Sequence, residues 1–328
     1  MPAPFSYLFP PAKDYVQEVP HVRSSSLARR LSPYAYLSPA LISIAALSLL
    51  PMLFTIYLAF TDASLYTFKT GFHWVGLANF VEVFRGSFSK VFFPVLGWTI
   101  VYAALSVLTQ FSLGMFVAVL LNNPNLKETR LYRALLIIPW AIPGSIAALA
   151  WQGLFNTSNG AINQLLVNVF HLQAIPWLQE ANWARAAVLI VNLWLGFPYM
   201  MTICLGALQA IPFELYEAAE VDGANVWEKF WKVTFPMMLR FSLPLMISSF
   251  AFNFNNFNTA LLMVNGGPAR VGPFAAGYTD LLASVGYKLT VNLNRYDLSG
   301  AISIILFFLV AGISLFNMKV TGAFKEDE

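Results

Sequence analysis

The chain has 328 residues, of which 58% are hydrophobic and only 11% are charged, whereas soluble domains carry about 25% charged residues. So few charges cannot cover a water-exposed surface, and the apolar residues stand in long uninterrupted runs. The formal net charge of +3 gives no reason to expect a nucleic-acid partner. The composition therefore excludes an ordinary soluble protein and favours one that is surrounded by lipid.

Six apolar segments are long enough to cross a membrane. A hydrocarbon layer about 30 Å thick requires roughly 20 residues of helix, because only a helix satisfies its own backbone polar groups there. The segments are residues 34–60, 94–122, 134–155, 186–208, 241–264 and 299–318. We therefore predict an all-α integral membrane protein with about six transmembrane helices.

The remaining segments define the organisation of the chain. Residues 1–33 form an N-terminal arm without a continuous apolar run, which argues against a cleaved signal peptide. Most of the 19 Lys and Arg residues lie in this arm, in two alternate loops and in the tail. Because cytoplasmic loops are enriched in these residues, we predict that both termini are cytoplasmic. An external loop (residues 61–93) precedes a five-helix core (94–318), and a tail (319–328) follows it. The core includes a cytoplasmic loop (209–240) and an external loop (265–298).

The spans contain no machinery for chemistry or for ion coupling. None of them contains Asp, Glu, Lys, Arg or His, the groups from which proton and ion relays in membranes are built. The chain has no phosphate-binding loop motif, and its three histidines lack the spacing of metal ligands. We predict a protein that moves a polar solute and is driven by another polypeptide. An ion-coupled carrier and, less favoured, a membrane-embedded enzyme remain as alternatives.

Proline and glycine punctuate the core. Pro139 and Pro143 interrupt the third span and Pro198 the fourth, and each removes a backbone donor. In the third span, ordinary transmembrane prolines are the favoured interpretation. At Pro198, an ordinary proline and a gating bend are equally favoured. The loop 265–298 begins with Asn-Gly-Gly-Pro, which suits either a docking surface for an external partner or a simple irregular loop.

The cytoplasmic loop predicts two short helices at a tight angle. Pro212 opens the first, and acidic residues follow it at the positive end of the helix dipole. Its small-residue face is formed by Leu215, Ala218, Ala219 and Asp222. Gly223 permits a sharp turn before a second helix that Pro236 ends and that packs through Val226, Phe230 and Val233. Composition leaves open whether this is a knob for the groove of another protein or a loop lying on the bilayer.

Two uncharged polar stripes follow helical spacing within the spans. Asn192, Gly196 and Tyr199 form one, and Ser249, Asn253 and Asn256 form the other, with Phe252 beside it. Amides, hydroxyls and aromatic faces suit a neutral polyhydroxy solute. Hydrogen bonds between helices are the alternative, which spacing alone favours.

Two groups of motifs carry a resemblance to a known family. Glu217-Ala218-Ala219, three residues, Gly223, nine residues and an apolar-x-apolar-Pro ending at Pro236 resemble the coupling loop of ABC importer permeases. Val233 and Phe235 stand where that family usually has Ile and Leu. The runs NLWLGFPY (192–199), NFNNF (253–257), NGGP (265–268) and AGYTDLL (276–282) are similar to the larger membrane subunit of maltose/maltodextrin importers. The likeness extends from residue 94 to the C-terminus.

The resemblance implies the type I ABC importer architecture, in a bacterial inner membrane, and a sugar substrate such as maltose or maltodextrin. It implies a second homologous permease subunit, a homodimeric cytoplasmic ATPase that uses ATP and Mg²⁺, and an external sugar-binding protein, with no cofactor on this chain. The implied ATPase-coupling residues are Glu217, Ala218, Ala219, Asp222, Gly223 and Pro236. The implied sugar-binding residues are Asn192, Leu195, Gly196, Tyr199, Ser249, Phe252, Asn253 and Asn256.

Overall fold

The structure is a computed structural model that describes residues 26–321, except 124, 271, 273 and 275; of residues 26–32 and 35 it describes only the backbone. All regular elements in these residues are helices, apart from three isolated β-bridges between loops. The α-helices are α1 (Ser26–Ile44), α2 (Leu50–Ala59), α3 (Ala78–Arg85), α4 (Ser89–Leu121), α5 (Thr129–Leu136), α6 (Ile138–Ala141), α7 (Gly144–Leu154), α8 (Ala161–Asn168), α9 (Ala181–Gln209), α10 (Glu214–Val221), α11 (Val226–Lys229), α12 (Phe235–Asn255), α13 (Asn258–Val264), α14 (Leu282–Val291) and α15 (Tyr296–Thr321). Two π-helical turns, Ala45–Leu49 and Phe230–Thr234, join α1 to α2 and α11 to α12.

Five helical stretches in the described residues are long and apolar enough to cross a membrane, and a sixth crossing results if the bent pair Thr129–Ala141 and Gly144–Leu154 counts as one span. The all-α fold and the number of about six spans are therefore confirmed. The chain divides into two units, residues 1–53 and 54–328, which are described separately.

The helix Tyr36–Ala59 provides the first span. None of the residues in its most apolar 18-residue window is buried within the chain. A helix that is apolar all round satisfies its own backbone, so it is suited to a surrounding of lipid or of another subunit.

In the larger unit, α4 and α9 form the central helix pair, against which α12 packs, and α15 packs against α12. Gly114 of α4 allows the close approach, because a Cβ atom there would lie 2.6 Å from the backbone nitrogen of Met201 on α9. Small residues are frequent where membrane helices meet, since the attraction between the helices comes from close packing.

The third span, which Pro139 and Pro143 interrupt, is broken into two helical parts. The helices before and after the break meet at 90°. Ile142 has an extended conformation (φ −80°, ψ 133°), because the ring of Pro143 disfavours the helical region for the residue before it. Pro198, in contrast, lies within the continuous helix α9.

The second half of the loop 209–240 is continuous with the fifth span. Pro236 was expected to end a short helix, but it lies in the first turn of α12. In the π-helical turn before it, the backbone N–H of Phe235 donates to the oxygen of Phe230, and this shifted pattern accommodates a residue without an N–H. Val226, expected to pack, is 85% exposed.

The described part of the connection 265–298 contains a helix and a buried ion pair. It contains α14, which packs against α15. Lys288 Nζ lies 2.7 Å from Asp280 Oδ2, and both side chains are buried. Asp280 also accepts hydrogen bonds from the Gly277 N–H (2.6 Å) and the Ser284 hydroxyl (2.7 Å). These bonds satisfy a carboxylate that would otherwise be costly to bury.

Candidate functional site

The two predicted polar stripes meet in one cavity of about 590 Å³, a volume within the usual range of 300–1,000 Å³ for ligand sites. It lies between α9, α12 and the broken third span. All eight residues predicted to bind sugar line it: Asn192, Leu195, Gly196, Tyr199, Ser249, Phe252, Asn253 and Asn256. The structure thus brings together residues that are up to 64 positions apart in the sequence.

Hydrogen bonds between three helices form one wall of this cavity. The Asn192 amide nitrogen donates to the Ser106 hydroxyl and to Asn253 Oδ1, both at 2.8 Å. The Asn253 amide nitrogen donates to the Ser249 carbonyl, also at 2.8 Å. The helix-to-helix bonds that we considered as the alternative are therefore present.

These bonds do not use all the polar groups of the Asn192 and Asn253 side chains. Both N–H groups of the Asn192 amide have acceptors, but its Oδ1 and the second N–H of Asn253 form no hydrogen bond within the described part of the chain. A packing role and a ligand-binding role are thus compatible in the same two side chains.

Gly196 contributes space rather than a functional group. The Gln110 side chain of α4 lies directly over it, so that a Cβ atom on Gly196 would be 2.2 Å from Gln110 Nε2. This nitrogen donates to the Asn192 backbone carbonyl at 2.9 Å. The missing side chain lets an amide from the neighbouring helix reach the cavity wall.

Aromatic rings supply the apolar part of the lining. The rings of Trp140 and Tyr199 lie 6.0 Å apart between centroids, inclined by 36°, and Phe252 is 66% exposed. Such faces can cover the apolar face of a sugar ring.

Asn256 reaches the cavity in a different way from that predicted. It does not continue the helical stripe, because α12 ends at Asn255 and Asn256 has an extended ψ of 103°. Its Oδ1 accepts from the backbone N–H of Asn258 at the start of α13.

Sequence reasoning missed half of the lining. The additional residues are Gln110, Pro139, Trp140, Ile142, Gly144, Ser248, Asn258 and Thr259. Gln110 was the one that sequence could most easily have indicated, since it is a long polar amide in the middle of an apolar span. Trp140 stands between Pro139 and Pro143 in the broken third span and lines the cavity beside Tyr199.

A second candidate site is the turn between α10 and α11. Gly223 adopts φ +76°, the left-handed conformation that glycine allows at a helix end. The Gly223 N–H donates to the Glu220 carbonyl (3.0 Å) and the Ala224 N–H to that of Ala219 (2.9 Å). This pair of bonds is the Schellman motif, and it confirms the predicted sharp turn.

Side-chain contacts fix the angle between these two helices. Lys229 Nζ donates to Glu220 Oε2 at 2.7 Å, and this hydrogen bond lowers the pKa of the Glu220 carboxyl. The hydroxyls of Tyr216 and Thr234 lie 3.0 Å apart. Asn225 and Glu228 form a reciprocal capping box at the start of α11.

The turn presents an exposed surface. Of the predicted coupling residues, Glu217, Ala218, Asp222, Gly223 and Pro236 are exposed, and Ala219 is half-buried. Val221 and Trp227 nearby are 88% and 68% exposed. Exposed apolar residues around a rigid turn are typical of a surface that contacts another protein.

The described residues contain no group of three or more His, Cys, Asp or Glu side chains that could hold a metal ion.

Solved structures share this fold. A bacterial ABC transporter involved in the import of the acidic polysaccharide alginate superposes with a TM-score of 0.73 at 22% identity, covering 92% of this chain and 100% of the other. A bacterial alginate ABC transporter in complex with an alginate pentasaccharide-bound periplasmic protein gives a TM-score of 0.71 at 22% identity, with 90% and 97% coverage. The fold is that of an ABC importer's transmembrane subunit.

Residues 110–320 match the family described as "Binding-protein-dependent transport system inner membrane component", and the chain belongs to this family. The galactooligosaccharides permease protein GanP of Bacillus subtilis (strain 168) is 40% identical over 298 residues, which are 90% of this chain and 71% of GanP. The maltodextrin permease protein MdxF of the same strain is 37% identical, with 90% and 70% coverage. The maltose/maltodextrin permease protein MalF of Salmonella typhimurium is 44% identical over 75% of this chain, which spans about half (49%) of MalF.

Membership in the family defines the class of protein. The chain is a multi-pass inner-membrane permease subunit of an ABC importer, and such a subunit works with a second permease, an ATPase and a binding protein. It is a transport component rather than an enzyme, as predicted, and ATP hydrolysis belongs to a separate subunit. The ion-coupled carrier and the membrane-embedded enzyme are thereby excluded.

Proposed function

We propose that this chain forms half of the translocation path for a neutral oligosaccharide, of the maltose or maltodextrin kind. The observation that carries the proposal is the cavity in which amides, hydroxyls and aromatic faces converge without any charged side chain. Sugar hydroxyls need both donors and acceptors, and their rings stack on aromatic faces. The relatives GanP, MdxF and MalF, named for galactooligosaccharides and maltodextrins, support the same substrate class.

The proposed assembly has four further subunits. They are one homologous permease resembling MalG, two copies of an ATPase resembling MalK, and one sugar-binding protein. ATP and Mg²⁺ are used by the ATPase dimer. The distribution of Lys and Arg supports an orientation in which both termini and the turn at Gly223 face the cytoplasm, whereas the connection 265–298 faces outward.

The continuous helix from α11 through α12 supports a mechanical link between the ATPase and the cavity. Residues 226 and 253 lie on one helical stretch, about 40 Å apart at 1.5 Å per residue. Movement of the Gly223 turn by a closing ATPase dimer would therefore be transmitted along this helix to Ser249 and Asn253. Because Asn253 is bonded to Asn192, the change reaches both polar stripes.

Sugar-dependent ATP hydrolysis tests the proposal. The complex would be purified with its partner subunits, reconstituted in vesicles and supplied with binding protein and one candidate solute at a time. Maltose and maltodextrins of increasing length are expected to stimulate hydrolysis and to enter the vesicles. Stimulation by none of the sugars, or uptake that continues without ATP and collapses with an ion gradient, would contradict the proposal.

A further inference from the structure

Gln110 is a polar side chain held in an apolar helix. It lies in the middle of α4 and is 4% exposed, yet it lines the cavity. One N–H of its amide donates to the Asn192 backbone carbonyl at 2.9 Å. The absence of a side chain at Gly196 leaves the space that this amide occupies.

The rest of the Gln110 amide has no partner among the residues that the structure describes. Its Oε1 and second N–H form no hydrogen bond within the described residues. Oε1 is nevertheless accessible rather than sealed within the protein. Oε1 is therefore open to the cavity. A buried amide whose carbonyl oxygen has no acceptor role within the protein is costly unless water or a ligand completes it.

We propose that Gln110 donates to and accepts from a hydroxyl of the transported sugar, and that it determines which sugars the cavity accepts. This rests on the proposed function, since the ligand is taken to be a sugar. The bond to Asn192 holds the amide in one orientation, so the accessible Oε1 is offered as an acceptor at a fixed position, with the second N–H beside it. A site that is built to hydrogen-bond a hydroxyl discriminates against an analogue without it, because the protein groups are then left unpaired.

The opposing interpretation gives Gln110 a purely structural role, as a tie between α4 and α9. Gln152 provides a matched control for this role. Its amide nitrogen donates to the Met263 carbonyl at 2.8 Å, joining α7 to α13, but Gln152 does not line the cavity. Replacing either residue by Met removes one helix-to-carbonyl bond at similar side-chain volume, and only one of the two changes the cavity.

The experiment compares Gln110→Met, Gln152→Met and the unchanged complex. Sugar-stimulated ATPase activity and uptake would be measured with maltose and a set of its monodeoxy analogues. We expect the unchanged complex to discriminate against one analogue. Gln110→Met should raise the KM for maltose about 5- to 10-fold and should use maltose and that analogue equally well. Gln152→Met should keep the original discrimination.

Two results would overturn the inference, and they are distinguishable. If maltose stimulates every complex and Gln110→Met keeps the full pattern of discrimination, Gln110 is a structural tie only. If no sugar stimulates the unchanged complex, the proposed function fails and the inference fails with it. Gln110→Leu supplies the same comparison if the Met variant does not assemble.

Discussion

Asn192 on α9 and Asn253 on α12 are joined by a 2.8 Å hydrogen bond between their side-chain amides. The bond lies in the wall of the cavity, and one of the two helices is continuous with the coupling loop. The same contact therefore shapes the cavity and ties it to the element that the ATPase is proposed to move.

Asn253→Ala is expected to weaken transport without dissociating the complex. The change leaves an Asn192 N–H without its acceptor, at a cost of about 1–3 kcal/mol, and removes an amide from the cavity. We expect a higher KM in sugar-stimulated ATPase assays with normal co-purification of the subunits. Gln152→Ala is the control, because the Gln152 amide also joins two helices, through the Met263 carbonyl, but does not line the cavity. An unchanged KM for Asn253→Ala would remove this residue from the site.

Gly196→Ala is expected to act through Gln110. The new methyl group would overlap the Gln110 amide, which is the end of a flexible side chain and can swing away without separating the helices. The variant should assemble normally but reproduce the sugar preference of Gln110→Met. The double variant should be no worse than either single change, since both remove the same contact. Gly206→Ala on the same helix, where a Cβ atom has no neighbour within 4 Å, should transport normally.

The turn at Gly223 allows backbone geometry to be separated from partner contact. A Cβ atom there meets nothing within 4 Å among the described residues, but φ is +76°, which a β-branched residue rarely adopts. Gly223→Val should abolish co-purification of the ATPase and uptake, while membrane insertion remains. Gly223→Asn tolerates this conformation and should retain most of the coupling if geometry alone matters. Equal loss in both variants would instead place the ATPase groove directly against this position.

The buried pair Asp280–Lys288 predicts a strongly non-additive pair of substitutions. Lys288→Met leaves the Asp280 charge buried without its partner, and the expected cost is about 3–5 kcal/mol. The double change Asp280→Asn with Lys288→Met should cost less than Lys288→Met alone, because no unpaired charge remains. Thermal unfolding of the purified complex, followed as the loss of its monodisperse peak in size-exclusion chromatography, measures the stability of both variants. Additive losses would show that the two charges do not interact.

Features that depend on local chain properties could be predicted. The length of an apolar run is set by the thickness of the membrane, so the spans were readable from residues alone. The Gly223 turn could also be predicted from local sequence, because glycine readily adopts the left-handed conformation that ends a helix. Helical periodicity likewise placed Asn192 with Tyr199, and Ser249 with Asn253, on common faces.

The composition of the cavity was decided by tertiary packing. Sequence determined that uncharged polar stripes lie within lipid-facing spans, since only residue type and period are needed for that conclusion. Whether an amide serves a neighbouring helix or the cavity depends on which helices meet. Both donors of Asn192 are used where α9 meets α4 and α12, and Gln110 of α4 reaches the cavity across Gly196. The break at Pro143 depends on a local rule, but its 90° angle and the turning of Trp140 toward Tyr199 depend on the helices packed around it. Hydrogen bonding and close packing between distant segments are therefore what the chain alone did not reveal.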